Sequence, residues 1–336
     1  MDLLLFANTG NPRLVEDLLD ELSDIPTFSG CHQAEMKLRF HADDEPYVEI
    51  IDNVRRGEGR KCIVVGCIAR SEKRSVNDHA MEMFVLLDAL KRADAEIEVL
   101  ILPYLPYARQ DRRRGETTDR TAITAELFAR LLNQAAPCRV CVVEPHTVYI
   151  EGFFDSPVDR IPVIHEFVPH VRQAFTETDK ICVVSPDRGG WERASALAGM
   201  LSTPHPIAWI DKRRTAPGEA KALQLVGEVN GLDAVLIDDM IDTAGSICEA
   251  AEVLHKEGAR RILVCAVHGL FNGAALRRLD ESAIERIIVT SSILQRQEVV
   301  EHGKIEVIPI GYLLAQAIHR LMAGESLRTL GKPRRR

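Results

Sequence analysis

No stretch of the 336-residue sequence approaches the roughly 20 consecutive apolar residues that cross a bilayer. A secretory leader is not expected either. Leu3 to Phe6 is apolar, but the run is short and follows Asp2 instead of a basic segment. There is no excess of positive charge. With 42 Lys and Arg against 50 Asp and Glu, the formal net charge is −8, which argues against a general nucleic-acid binder. The one basic run, Lys332-Pro333-Arg334-Arg335-Arg336, reads as a solvated chain end. Eight cysteines show no framework spacing. Cys62, Cys67, Cys182 and Cys265 sit in apolar runs and read as small buried hydrophobes of a reducing compartment. Cys138 and Cys141 form a C-x-x-C, but no second pair follows, so no metal or redox role is given to them. Low-complexity segments are absent too. The expectation is a cytoplasmic globular protein of two domains, with no membrane and no nucleic-acid partner.

What is present is a rhythm. Short runs rich in Val and Ile alternate with longer amphipathic stretches. Strands are expected at Leu3–Ala7, Cys62–Cys67, Ile97–Leu102, Val140–Val143, Ile181–Ser185, Pro206–Ile210, Ala234–Ile237, Ile262–Val267, Ile287–Thr290 and Ile305–Pro309. These runs are unbroken, not alternating, as suits strands covered on both faces of a parallel sheet. Helices are expected at Pro12–Leu22, Asp78–Ala93, Thr121–Gln134, Gly190–Gly199, Thr243–Glu257 and Tyr312–Met322. The fold class is α/β, with two similar doubly wound domains and mainly parallel sheets.

Each half sets charged groups just past consecutive strands. In the first half these are Ile68-Ala69-Arg70, Arg109-Gln110-Asp111 and Glu144-Pro145-His146. In the second they are Asp187 to Gly190, Asp211 to Arg214, and Asp238 to Asp242. Ligands of open α/β sheets bind at the carboxyl ends of strands, so both sets are expected to serve one site. The boundary is expected near Asp155–Pro162. Residues 1–155 make one domain and 156–304 the other, with the last strand and helix, within 305–325, returning to the first.

The strongest local signal is Ala234-Val-Leu-Ile-Asp238-Asp239-Met-Ile-Asp242-Thr243-Ala244-Gly245-Ser246. An apolar strand ends in two carboxylates, and a tight loop with a glycine and two hydroxyls leads into a helix. Backbone N–H groups at such a turn, with the helix dipole, suit a phosphate. Thr243 and Ser246 can donate to it, and Asp238 and Asp239 can accept from ribose hydroxyls or hold a hydrated cation. The bland reading is a helix-capping loop, since Asp, Thr and Ser are preferred caps.

This loop resembles the phosphoribosyl diphosphate motif of the type I phosphoribosyltransferase fold. Four further segments resemble the ribose-phosphate pyrophosphokinases: Pro103 to Arg112, His146 to Asp155, Ser185 to Gly190, and Ile210 to Arg214. The resemblance runs from about residue 35 to 320, in family order. It implies transfer of the β,γ-diphosphate of MgATP to the C1 hydroxyl of ribose 5-phosphate, with Mg2+ as cofactor. It places ATP on Arg109, Gln110, Asp111 and His146. It places ribose 5-phosphate on Asp187, Asp238, Asp239, Asp242, Thr243, Ala244, Gly245 and Ser246, the metal at His146 and Asp187, and the transferring diphosphate on Lys212 and Arg214 in a closing loop. Arg39-Phe40-His41-Ala42-Asp43-Asp44-Glu45 resembles the family's adenine loop, which reaches a neighbouring subunit. Phe40, Asp43 and Glu45 are carried over as ATP contacts, and a dimer-based homo-oligomer such as a hexamer is implied. Three departures stand out. The adenine loop has one extra residue and Asp44 in place of Gly, the turn Arg70 to Arg74 is basic where the family has Ser, Thr and Pro, and Arg188 and Trp191 add bulk near the ribose. A phosphoribosyltransferase, a different ribose-phosphate acceptor and a non-catalytic associated subunit stay open as alternatives.

Overall fold

The computed structural model describes residues 2–57, 59–113, 120–213 and 222–330. Arg214, the rest of the expected closing loop to Glu219, Arg114 and the basic tail 332–336 lie outside the described residues. The chain forms two compact units: residues 1–162 with 292–294 and 309–336, and residues 163–291 with 295–308.

The first unit begins with β1 (Asp2–Ala7), α1 (Pro12–Ser23) and β2 (His32–Gln33). A separate antiparallel hairpin follows, β3 (Met36–Phe40) and β4 (Pro46–Ile50). Then come β5 (Arg60–Cys67), α2 (Val76–Arg92), β6 (Ile97–Tyr104), α3 (Thr124–Ala135), β7 (Arg139–Val143) and β8 (Val158–Ile161). The sheet is parallel throughout, in the order β2-β1-β5-β6-β7-β8. One face contributes Leu4, Phe6, Val64, Leu100 and Val142 to a core closed by Met83, Leu86 and Leu87 of α2 and Phe128 and Leu132 of α3. Leu3, Leu5, Ile63 and Val65 of the other face are also fully buried. Burial on both faces explains why these strands read as unbroken apolar runs.

The second unit holds α4 (Phe167–Ala174), β9 (Ile181–Ser185), α5 (Trp191–Leu201), β10 (Ala208–Arg213), β11 (Ala222–Val226), β12 (Asp233–Ile241), α6 (Gly245–Lys256), β13 (Arg261–Gly269), α7 (Ala275–Asp280), β14 (Arg286–Thr290), α8 (Gln297–Val300) and β15 (Ile305–Ile308). Its sheet order is β11-β10-β9-β12-β13-β14-β15, parallel except for the antiparallel edge strand β11. The last helix, α9 (Gly311–Met322), lies in the first unit and packs on α1.

Both sheets wind the same way. In each, the second parallel strand lies to one side of the first, and the later parallel strands add outward on the other. The winding reverses between β1 and β5 in the first sheet and between β9 and β12 in the second.

Four expectations need correction. Residues 305–308 do not return to the first unit. β15 pairs with β14, from Ile287↔Ile305 to Thr290↔Ile308, and only the helix after it crosses back. The strand expected to end at Ile210 continues to Arg213, because β11 binds it through five residue pairs, Trp209↔Val226 to Arg213↔Ala222. Lys212 is therefore a strand residue paired with Leu223, not the start of a loop. The strand expected to stop at Ile237 runs to Ile241, with Asp238 paired to Ala266 and Met240 to His268. The helix after it starts at Gly245, two residues later than expected.

Candidate active site

In the second unit, the loops after β9 and β12 flank the reversal of winding, where open α/β sheets bind ligands. The loop after β12 is not a capping loop. The N-cap of α6 is Ala244, a left-handed residue at φ 60°, and no side chain caps the helix. A non-glycine residue held at positive φ is strained, and such strain is found at ligand-binding turns. With no side chain capping α6, its first N–H groups are available to an anion. The loop is braced from outside. Asn272 Nδ2 donates to Asp242 Oδ1 at 2.8 Å, and the amides of Leu270 and Phe271 donate to the Ile241 carbonyl at 2.8 and 3.1 Å.

Behind the loop stand the two carboxylates. Asp239 is 6% exposed, and its amide donates to Asp238 Oδ1 at 2.9 Å. Burial, and then the neighbouring Asp239 charge, hold the Asp238 carboxyl well above the usual carboxylate range. The guanidinium of Arg193, in the first turn of α5, stands 3.9 Å from Asp238 Oδ1 and opposes that rise. Sequence reading missed Arg193. A signal existed: a cation in a helix's first turn opposes the dipole and needs a carboxylate partner nearby.

The loop after β9 carries Asp187. Its Oδ1 accepts from the amides of Gly189 at 2.8 Å and Gly190 at 3.1 Å, and Ser185 Oγ donates to the Asp187 carbonyl at 2.6 Å. The carboxylate thus shapes the turn into α5 and remains exposed. Arg188 reaches Asp211 Oδ1 at 3.3 Å, at the end of β10 and one residue before Lys212. Trp191 opens α5, is 43% exposed, and meets Trp209 of β10 edge-on, with ring centroids 5.4 Å apart at 87°.

In the first unit, the strands are parallel, so the segments that follow β1, β5, β6 and β7 share one edge of the sheet. They bring Thr9, Arg70, Arg109 to Asp111 and His146 to that edge. The end of β1 is locked to the end of β5 by a buried amide. Asn8 Nδ2 donates to the Cys67 carbonyl at 3.0 Å, and the Cys67 amide donates to Asn8 Oδ1 at 2.9 Å. Gly10 allows this approach, since a Cβ there would lie 1.8 Å from the Cys67 oxygen. Thr9 donates through its amide and hydroxyl to Glu82, at 2.5 and 2.8 Å. Glu82 and its neighbour His79 are fully buried on α2, and His79 Nε2 meets Ser71 Oγ at 3.1 Å. Ser71 in turn holds the basic turn, accepting from the Arg74 amide at 3.2 Å.

Arg74 explains a departure. Its guanidinium carbon sits 3.4 Å from the centroid of Phe40, so the aromatic of the expected adenine loop already carries a cation on one face. Asp43 and Glu45 are exposed at the hairpin tip, with the His41 amide donating to the Glu45 carbonyl at 2.9 Å. Asp44 has φ 67°, a left-handed position that glycine favours and aspartate tolerates. After β6, Thr124 Oγ1 donates to the Tyr107 carbonyl at 3.0 Å and the Ala125 amide to the Gln110 carbonyl at 3.2 Å, fixing Arg109 to Asp111 against the start of α3. His146 is half-buried, two residues after Glu144, which has φ 35°.

Comparison with known proteins identifies the family. Residues 3–136 match the family described as the N-terminal domain of ribose phosphate pyrophosphokinase. Residues 206–332 match the phosphoribosyl synthetase-associated domain. A ribose-phosphate pyrophosphokinase of Bradyrhizobium diazoefficiens is 36% identical over 326 residues, covering 97% of this chain and 96% of that protein. The chain belongs to the ribose-phosphate pyrophosphokinase family. The Bacillus subtilis ribose-phosphate pyrophosphokinase is likewise 36% identical over 330 residues, 97% of this chain and 96% of the relative. The crystal structure of phosphoribosylpyrophosphate synthetase from Mycobacterium smegmatis superposes with a TM-score of 0.84 at 31% identity, covering 96% of this chain and all of that one. The α/β class with mainly parallel sheets is that of the ribose-phosphate pyrophosphokinase fold. Relatives with the pyrophosphokinase name match across the whole chain, which does not favour a non-catalytic subunit.

Proposed function

We propose that this protein transfers the β,γ-diphosphate of ATP to the C1 hydroxyl of ribose 5-phosphate, giving 5-phosphoribosyl 1-diphosphate and AMP. The observation that carries the reading is the loop after β12: an uncapped helix N-terminus behind a left-handed alanine, with two adjacent carboxylates at the end of the preceding strand. The amides at Gly245 and Ser246 and the hydroxyls of Thr243 and Ser246 bind the 5-phosphate. Asp238 and Asp239 accept from the ribose hydroxyls, Asp242 keeps the loop in shape through Asn272, and Ala244 supplies the turn. Anchoring the sugar by its remote phosphate lets binding energy support chemistry at C1.

ATP lies on the first unit's strand-end segments. Arg109 and Gln110 contact the nucleotide, Asp111 supports them, and Phe40, Asp43 and Glu45 receive adenine from a neighbouring copy in a homo-oligomer. The acceptor oxygen attacks the β-phosphorus as the bond to the α-phosphate oxygen breaks, and the hydroxyl proton is lost to solvent. Little covalent work falls to the protein, so positioning and charge compensation dominate. Lys212 and Arg214 donate to the diphosphate as its charge redistributes. A preorganised donor of this kind contributes about 2.7–4 kcal/mol.

The donor chemistry fits magnesium. Among the described residues no cluster of three metal-ligating side chains occurs. Mg2+ needs none, since it binds through one or two carboxylates, phosphate oxygens and water. Asp187 would hold it, with His146 beside the phosphates. Bound there, the ion would offset the repulsion between phosphate oxygens.

The test is incubation of the purified chain with ATP, Mg2+ and ribose 5-phosphate, followed by phosphorus NMR. AMP appearing together with a diphosphate on C1 is the expected result. A folded sample that makes no AMP with this acceptor would overturn the proposal.

A further inference from the structure

The loop after β12 is short of positive charge. From Asp238 to His255 the chain has no Lys or Arg, yet it carries Asp238, Asp239 and Asp242. A sugar phosphate adds roughly −1.5 to −2 more charges at neutral pH. The helix dipole offers only about half a positive charge in return. Amide donors orient the anion, and a guanidinium close to the loop would add charge compensation that they lack. Arg193 faces Asp238 and is 12% exposed. A second cation close to the loop, among the described residues, is Arg278 on the short helix α7.

Arg278 lies against the loop itself. Its Nη1 donates to the Thr243 carbonyl at 2.7 Å. The same nitrogen stands 3.8 Å from the point where a Cβ on Gly245 would sit, so the guanidinium lines the entrance to the first turn of α6. A second contact fixes this register: Cys248 Sγ, in that first turn, meets the Arg278 carbonyl at 3.5 Å. The side chain is exposed, and its partner at Thr243 is a carbonyl, which leaves the positive charge uncompensated by that bond.

We propose that Arg278 is the cation of the 5-phosphate subsite. One nitrogen braces the loop through Thr243, while the rest of the planar fork donates to the phosphate held over Gly245 and Ser246. A guanidinium suits both tasks because it presents five donors in one plane, whereas an ammonium is a point charge. This assignment rests on the phosphate reading of the loop given above. It extends the site with a residue about thirty positions away in the chain.

The experiment compares wild type, Arg278→Ala and Arg278→Lys in the full chain. A charge-assisted contact to phosphate predicts that Arg278→Ala raises KM for ribose 5-phosphate about tenfold to a hundredfold. KM for ATP and Tm should hold, and Arg278→Lys should recover part of the loss. Calorimetric titration should show ribose 5-phosphate binding weakened by the same factor, while ribose lacking the phosphate loses nothing. An unchanged KM for ribose 5-phosphate would overturn the assignment. So would a fall in kcat and Tm with equal losses for ribose and its phosphate, which would make Arg278 only a strut of the loop. If wild type gives no turnover, the reaction reading fails separately. Calorimetry then decides: weaker binding of ribose 5-phosphate to Arg278→Ala sustains the subsite, and equal or absent binding removes it.

Discussion

Asp238 and Asp239 place two carboxylates side by side at the end of a buried strand, which favours the protonated form of Asp238. The shift on Asp238 is upward from 3.8, caused first by burial and then by Asp239. As pH rises through 3.8 the unfolded chain releases this proton while the folded chain keeps it, so stability falls until the folded group also ionises. An amide has no proton to lose. Asp238→Asn should therefore melt close to wild type at acid pH and above it at pH 8. It should also lose turnover with ribose 5-phosphate. Calorimetry at both pH values checks this, and a gap that does not widen with pH counts against it. The carboxylates and the loop were legible in the sequence because they are contiguous. Arg74 on Phe40 and Arg278 on Thr243 were not, because each pairs residues more than thirty positions apart and depends on tertiary placement.

Among the elements, the central strands were readable because both their faces are buried. The edges were not. β3 alternates exposed and half-buried residues, β4 has no fully buried residue, and β11 is a short Ala-Leu-Gln-Leu-Val segment. β8 lies between Pro157 and Pro162, within the stretch where a boundary was expected. It tolerates them because it is the last strand of the sheet and they flank it without interrupting it. The joint between β1 and β5 offers a direct test of an element-level contact. Asn8 is 4% exposed and satisfies both backbone groups of Cys67. Asn8→Ala leaves an N–H and a C=O buried without that partner, at a cost of about 1–3 kcal/mol. The urea midpoint should fall with the slope unchanged. A midpoint equal to wild type would mean that water replaces the amide.

For the whole molecule, the repeated β-α-β rhythm was enough to give two doubly wound sheets, since such strands need helices on both faces. The crossing of α9 alone into the first unit could not be read, because β15 and α9 follow one another without a break in pattern. The distribution of indoles has a practical consequence. The chain has two tryptophans, and both belong to the contact between α5 and β10 in the second unit. Red-edge excitation therefore illuminates one place in the protein, four residues past Asp187, and leaves the first unit dark. Ribose 5-phosphate should shift the emission saturably, with a midpoint matching its calorimetric affinity, and Trp191→Phe should remove most of the signal. An emission spectrum indifferent to the sugar phosphate would place the ligand away from the β9 turn. The molecule carries its own optical gauge for the sugar half of the reaction, read without a label.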